Sequence, residues 1–191
     1  MLSKADIKFI RSLEYRKYRQ AAGAFVAEGP KTVGELSKHL HLRMLVDDAE
    51  EAERCSLQRS PQGILGVFDI PHHVLPTEDE IRRNLILALD GVQDPGNLGT
   101  IIRLADWFGI EHVMLGTGSA DAFAPKTVQA TMGALARVKT HEVDLREWLR
   151  SLPADTNIYG TFLDGKDIYG RTLGNSGVIV MGNEGRGISD E

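Results

Sequence analysis

DGVQDPGNLGTIIRLADWFGI, residues 90–110, follows the apolar run Leu85-Ile86-Leu87-Ala88-Leu89 and decides how the second half of the chain is read. A five-residue apolar run that stops at an acidic, glycine-spotted loop reads as a strand, and the periodic stretch behind it reads as a helix over 97–108. Asn97 suits the N-cap, because its side-chain oxygen accepts a bond from a free helix N–H. Gly109 stands where a left-handed residue closes a helix. Leu98, Ile101, Ile102, Ala105 and Phe108 form a broad face for burial, while Gly99, Arg103 and Asp106 share the other side. Gly99 costs about 1 kcal/mol of helix stability relative to alanine. Its missing side chain, one turn before Arg103, leaves room for something to approach. Arg103 is either a charge held for a ligand or an exposed partner of Asp106, and spacing alone leaves both open.

Working outward, strands are predicted at 85–89, 112–115, 157–162 and 177–181, separated by helices at 97–108, 125–136 and 144–150. Apolar strands alternating with helices predict a parallel sheet covered on both faces. In such sheets the ligand site lies beyond the carboxyl ends of the strands. Three loops leave those ends with unusual residues: DGVQDPGN, FLDGKD and GNEGRGIS. The last carries three glycines within residues 182–187, spaced G-x-x-G-x-G. That is neither the dinucleotide fingerprint nor the phosphate loop, so a Rossmann dehydrogenase and an ordinary nucleotide-binding regulator are disfavoured. A tight structural turn and a close backbone approach to a ligand both remain readings of it.

The first part reads as a smaller α/β head: a helix over 4–20, a strand at 24–29, a helix over 30–40, strands at 42–46 and 64–70, and a short acidic helix between them. The proline-bracketed, polar PHHVLPTEDE (71–80) marks the joint, giving a head over 1–75, a linker over 76–83 and a second domain over 84–191. Charge changes at the same place. Residues 1–43 hold nine Lys/Arg and four acids, +5, and the remainder holds 13 basic and 23 acidic residues, −10. A basic head on an acidic body suits a polyanion-binding module, although a solvated basic helix face would look the same.

One cysteine, Cys55, rules out an internal disulfide and a Cys-rich metal site. None of the six histidines makes a metal-ligand spacing, so no metal is expected. The apolar runs are strand length, short of a membrane span, and the N-terminus has no signal core. A cytoplasmic protein is the simplest expectation.

Together these features resemble the SpoU (TrmH-like) family of S-adenosylmethionine-dependent RNA ribose methyltransferases. Its first motif, N-x-G-x-x-x-R after a strand, matches Asn97 to Arg103, and its second matches Gly182-Asn183-Glu184-Gly185-Arg186-Gly187. PKTVQATMGALARV resembles the family's middle segment, and Phe25-Val26-Ala27-Glu28-Gly29 with SPQGILGV (60–67) resembles its RNA substrate-binding domain. The resemblance covers nearly the whole chain. It implies a parallel-sheet SPOUT-type domain with a trefoil knot at its C-terminal end, a small α/β substrate-binding domain before it, and a homodimer. The family's third motif, a serine–leucine–asparagine segment, has no counterpart before Ser189-Asp190-Glu191, which implies a knot incomplete within these residues.

The implied activity is methyl transfer from S-adenosylmethionine to a ribose 2′-hydroxyl of ribosomal or transfer RNA. The resemblance assigns catalysis to Arg103, Asn97 and Glu184, and cofactor binding to Thr161, Phe162, Met181, Gly182, Asn183 and Gly185. Arginine is effectively always protonated, so the role expected of Arg103 is electrostatic. RNA contacts are assigned to Lys4, Lys8, Arg11, Arg16, Lys17, Arg19 and Lys31 of the head. A non-catalytic RNA-binding or assembly protein on the same scaffold is the alternative expectation.

Overall fold

The computed structural model describes residues 2–189; Met1, Asp190 and Glu191 lie outside them. The elements run in the order α1 (Lys4–Ser12), α2 (Arg16–Ala22), β1 (Ala24–Glu28), α3 (Pro30–Leu36), β2 (Leu42–Val46), α4 (Ala49–Cys55) and β3 (Leu65–Asp69). These are followed by α5 (Glu78–Arg83), β4 (Leu85–Leu89), α6 (Pro95–Trp107), β5 (His112–Gly116) and α7 (Pro125–Thr131). Then come a 3-10 turn (Ala134–Ala136), β6 (Lys139–Val143), α8 (Leu145–Arg150), β7 (Ile158–Gly160) and β8 (Gly177–Met181).

Two compact units result. The first joins the chain up to His72 with Pro95–Arg103 and Asp121–Arg137, and the second holds His73–Asp94, Leu104–Ala120 and the chain from Val138 onward. The first carries an antiparallel sheet in the order β1-β3-β2. Every residue of β1 is buried, so both sheet faces need cover. Ala24 and Val26 pack with Ile10, Leu13, Ala52 and Cys55 of α1, α4 and the turn after α1. On the opposite face Phe25 stacks on Phe68 at 5.7 Å and meets Phe123 at 5.0 Å, so that cover comes from far along the chain.

The single helix expected over 4–20 is two helices, because Leu13, Glu14 and Tyr15 form a turn. Ile10 and Leu13 are buried at the end of the first of them, and Tyr18 on the second is exposed. The expected linker is helical: the Thr77 hydroxyl accepts from the Glu80 N–H, the Glu80 carboxylate accepts in return, and buried Ile81 anchors the turn. That local capping box outweighs the polar composition that suggested a loop. The helix expected over 125–136 breaks at Met132, whose φ is +53°.

The second unit carries the expected parallel sheet, in the order β6-β5-β4-β8-β7. Ile86, Ala88, Met114, Val178 and Val180 on one face are covered by Ile81 of α5 and by Leu145 and Trp148 of α8. The edge strand β6 was not expected. Its sequence, Lys139-Thr140-His141-Glu142-Val143, has one aliphatic residue and hides the pattern.

His141 and His112, on neighbouring strands, are both buried. Their rings stack at 5.2 Å, and His112 Nδ1 lies 3.0 Å from His141 Nε2, so one neutral ring donates to the other. Burial lowers both pKa values, with nearby positive charge adding to it, and brings that of His141 to about 4 from 6.5. Between these values the unfolded chain binds more protons than the folded one, so stability rises with pH from about 4 to 6.5 and is lost on acidification. Glu80, held low mainly by hydrogen bonds from Thr77, acts in the same direction only below its ordinary 4.5. The urea midpoint is therefore expected to fall between pH 6.5 and 4.5. His141→Asn should flatten that slope, as read by circular dichroism.

Candidate active site at the carboxyl ends of the parallel strands

β4 ends at Leu89, and its loop is tied to the end of β8 by the Asp90 N–H donating to Met181 O at 2.8 Å. Gly91 turns the chain with φ +70°. α6 then begins at Pro95, where a missing N–H costs nothing. Asn97 is consequently the third residue of the helix and not its N-cap, since proline starts the helix two positions earlier. Gly99 is buried. A Cβ there would stand 2.5 Å from Ala130 Cβ and 2.7 Å from Thr127 O, so what approaches the glycine is α7 rather than a ligand. Arg103 is exposed. The helix closes as expected: Gly109 has φ +70° and donates to Asp106 O, while Ile110 donates to Ala105 O. Phe108, expected in the buried face, is 72% exposed and Trp107 83% exposed, because at i+4 and i+3 from exposed Leu104 they share its side of the helix rather than that of buried Leu98, Ile102 and Ala105.

The loop after β8 is folded around one side chain. Asn183 Nδ2 donates to Gly91 O at 2.8 Å, and Asn183 Oδ1 accepts from the N–H groups of Gly185 and Arg186. Its backbone exchanges two bonds with Gly187, which sits at φ +71°. Ser189 N–H donates to the Asp90 carboxylate at 2.7 Å. At Gly182 a Cβ would lie 2.1 Å from Gly187 C and 2.2 Å from Ile188 N, so only glycine permits this fold-back. The loop is thus a tight structural turn, and it draws the β4 loop to it.

Beside these loops lies a cavity of about 690 Å³, within the usual range for a small-molecule site. Leu145, Leu149, Val180 and Ile188 give it an apolar wall, and Asp90, Asp144, Arg146 and Arg186 bring charges of both signs. Asn183 lines it as well. Of the other expected cofactor residues, Met181 ends β8, and Gly182 and Gly185 belong to the loop that follows it. Thr161 is tied to β8, its N–H and hydroxyl both donating to Val180 O. Phe162 is exposed and folds over Gly160. Glu184 is exposed on the loop tip. The charged wall was missed in the sequence. Asp144 is the N-cap of α8, accepting from the Glu147 N–H at 3.0 Å, and would have been found had β6 been recognised before it. Among the described residues no cluster could hold a metal ion, and no helix is long and apolar enough to cross a membrane.

In the first unit Lys4, Lys8, Arg11, Arg16, Lys17 and Lys31 are exposed. Arg19 is the correction. It is 3% exposed, its guanidinium donates to Leu13 O, Glu14 O and the Asp121 carboxylate, and it holds the fold rather than facing solvent. Glu28 is likewise an internal latch, accepting from Ser56 Oγ and Leu57 N–H.

The model described as the SpoU rRNA Methylase family matches residues 84–191, and that described as the MRM3-like substrate binding domain matches residues 4–56. The chain is 33% identical over 165 residues to the Bacillus subtilis (strain 168) protein named 23S rRNA (guanosine(2553)-2'-O)-methyltransferase RlmP, across 85% of this chain and 64% of that one. A solved structure of a TrmH-family protein from Porphyromonas gingivalis is 46% identical with a TM-score of 0.88, covering 100% of this chain and 84% of that one. The AdoMet-bound rRNA methyltransferase from Sinorhizobium meliloti is 29% identical with a TM-score of 0.80, covering 99% and 82%.

Asn183→Ala tests the loop. It leaves the Gly185 and Arg186 amides to water in place of their acceptor, a loss of about 0.5–1.5 kcal/mol per bond. Their hydrogen exchange is expected to speed up by roughly tenfold or more, while the amides of β4 stay protected.

Proposed function

Because the chain belongs to the SpoU rRNA methylase family, we propose that it methylates a ribose 2′-hydroxyl of ribosomal RNA using S-adenosylmethionine. The observation that carries this reading is the Gly182–Gly187 loop, folded on Asn183 against the β4 loop beside a cavity of mixed lining. The lining suits the cofactor's chemistry. Apolar Leu145, Leu149 and Ile188 suit a base and thioether chain, Asp90 and Asp144 suit its cationic groups, and Arg146 and Arg186 suit its carboxylate. Backbone of the loop through Met181, Gly182, Asn183 and Gly185, with Thr161 and Phe162, would complete the grip. When bound, the cofactor supplies an already activated methyl group, so alignment and charge stabilisation are what remain for the protein.

Arg103 grips a phosphate and stabilises the 2′-oxygen as it loses its proton, with its planar fork presented from α6. Asn97, in the first turn of the same helix, contacts the substrate ribose. Glu184 offers a carboxylate to orient a guanidinium. The exposed lysines and arginines of the head hold RNA phosphates. Leu104, Trp107 and Phe108 give α6 an exposed apolar patch, which favours a homodimer through this helix. The family's knot and a cytoplasmic setting belong to the same reading.

Arg103→Ala is expected to reduce single-turnover methyl transfer at least about a hundredfold, equivalent to ~3 kcal/mol, with cofactor affinity nearly unchanged. Arg103→Lys should recover only part, because a point charge does not reproduce the fork. The assay gives labelled methyl donor with ribosomal and transfer RNA fractions. Alkali-resistant label in ribosomal RNA supports the proposal, and label on bases or in neither RNA overturns it. Sedimentation at micromolar concentration should show a dimer that Trp107→Glu converts to a monomer.

A further inference from the structure

Two large aromatic side chains of the first unit stand in solvent, one on the turn between α1 and α2 and one in the first turn of α2. Tyr15 is 58% exposed and Tyr18 44% exposed. Their rings meet edge to face at 6.3 Å and 75°, and Lys17 Nζ lies 4.7 Å from the Tyr18 ring centroid. Their sequence neighbours Glu14, Arg16, Lys17 and Gln20 are all polar and exposed. The ring faces are therefore the apolar surface at this spot, in the part of the chain that carries the positive charge.

The turn that presents them is held from beneath. Buried Arg19 donates through Nη1 to Leu13 O at 2.8 Å and Glu14 O at 2.7 Å, and its other nitrogens bind the Asp121 carboxylate. Tyr15 itself sits in extended geometry ahead of α2, and its carbonyl accepts from the Tyr18 and Arg19 N–H groups. Both backbone positions are thus fixed before anything binds, which removes an ordering cost.

We propose that Tyr15, braced by Tyr18, is a stacking platform for an unpaired base of the RNA, with Arg16 and Lys17 meeting the flanking phosphates. Flat rings among cations fit a nucleotide better than a peptide surface. A base offers a π face for the ring and a phosphate for each neighbouring charge, whereas a protein partner would need a contiguous apolar patch. Duplex RNA hides its bases within the stack, so the occupant is single-stranded. The proposal rests on RNA being the substrate and deepens that reading by naming the part of it that the head recognises.

The test uses the full chain and two probes: a 12-nucleotide adenosine RNA carrying one 2-aminopurine, and a 12-base-pair RNA duplex. Tyr15→Ala and Tyr15→Leu are expected to weaken single-strand binding about tenfold and to abolish the fluorescence quenching that marks stacking. Tyr15→Phe should keep both, and duplex affinity should stay within about twofold for every variant, because duplex contacts are to phosphates. Wild-type single-strand affinity in Tyr15→Leu overturns the platform. Equal loss for both probes also overturns it, because the ring would then serve the fold. Methyl transfer is followed separately. Quenching without any transfer leaves the platform standing and removes the enzymatic reading, and transfer without quenching does the reverse.

Discussion

The bond from the Asn183 side-chain amide to the Gly91 carbonyl joins two loops that leave neighbouring parallel strands. Everything at this end of the second unit follows from it. The amide's other end collects the Gly185 and Arg186 N–H groups, so one residue satisfies three backbone groups that a six-residue turn would otherwise leave open. Aspartate would lose the donor and a leucine of similar size would lose all three bonds. Gly182 has an equally narrow tolerance for a different reason, since the returning backbone occupies the space of its side chain. Gly182, Asn183 and Gly187 are thus accounted for by folding alone, before any ligand is considered.

Much of this was legible in the sequence, for a physical reason. Parallel strands buried on both faces read as unbroken apolar runs, and β4 and β8 are such runs. The glycine turns announced themselves because other residues adopt their geometry only rarely. What escaped was set by partners distant in sequence. Gly99 looked like room for a ligand until α7 was seen to occupy it. Arg19 carries the same charge as Lys17, and only the carboxylate of Asp121, 102 residues later, separates a buried brace from a surface cation. β6 was hidden because an edge strand with a buried histidine has no apolar period, and α5 because its capping box lies inside a stretch with no other signal.

Charge is distributed in the same two ways. On the surface of the head it is sequence-independent and exposed, the arrangement that attracts a polyanion at long range and loses strength with salt. At the cavity, positive and negative groups share one small volume, which discriminates by arrangement rather than by net sign. A basic head of +5 and a remainder of −10 therefore place the long-range positive field in one part of the chain.

The first sheet buries both faces of β1, and the cover for its second face includes Phe123 and Val128, synthesised long after the sheet itself. On a ribosome adding about 5–20 residues per second, the three strands wait roughly 3–13 s between His72 and Arg137 before that cover exists. During that interval α3, with Val33 and Leu36, is the packing available beside β1 and β3, and Phe25 lacks its contact with Phe123. The head is thus a module in shape but not in time, and moving its first 72 residues onto another protein would transfer a sheet with one face incompletely covered. Any graft of this unit has to carry Asp121–Arg137 with it.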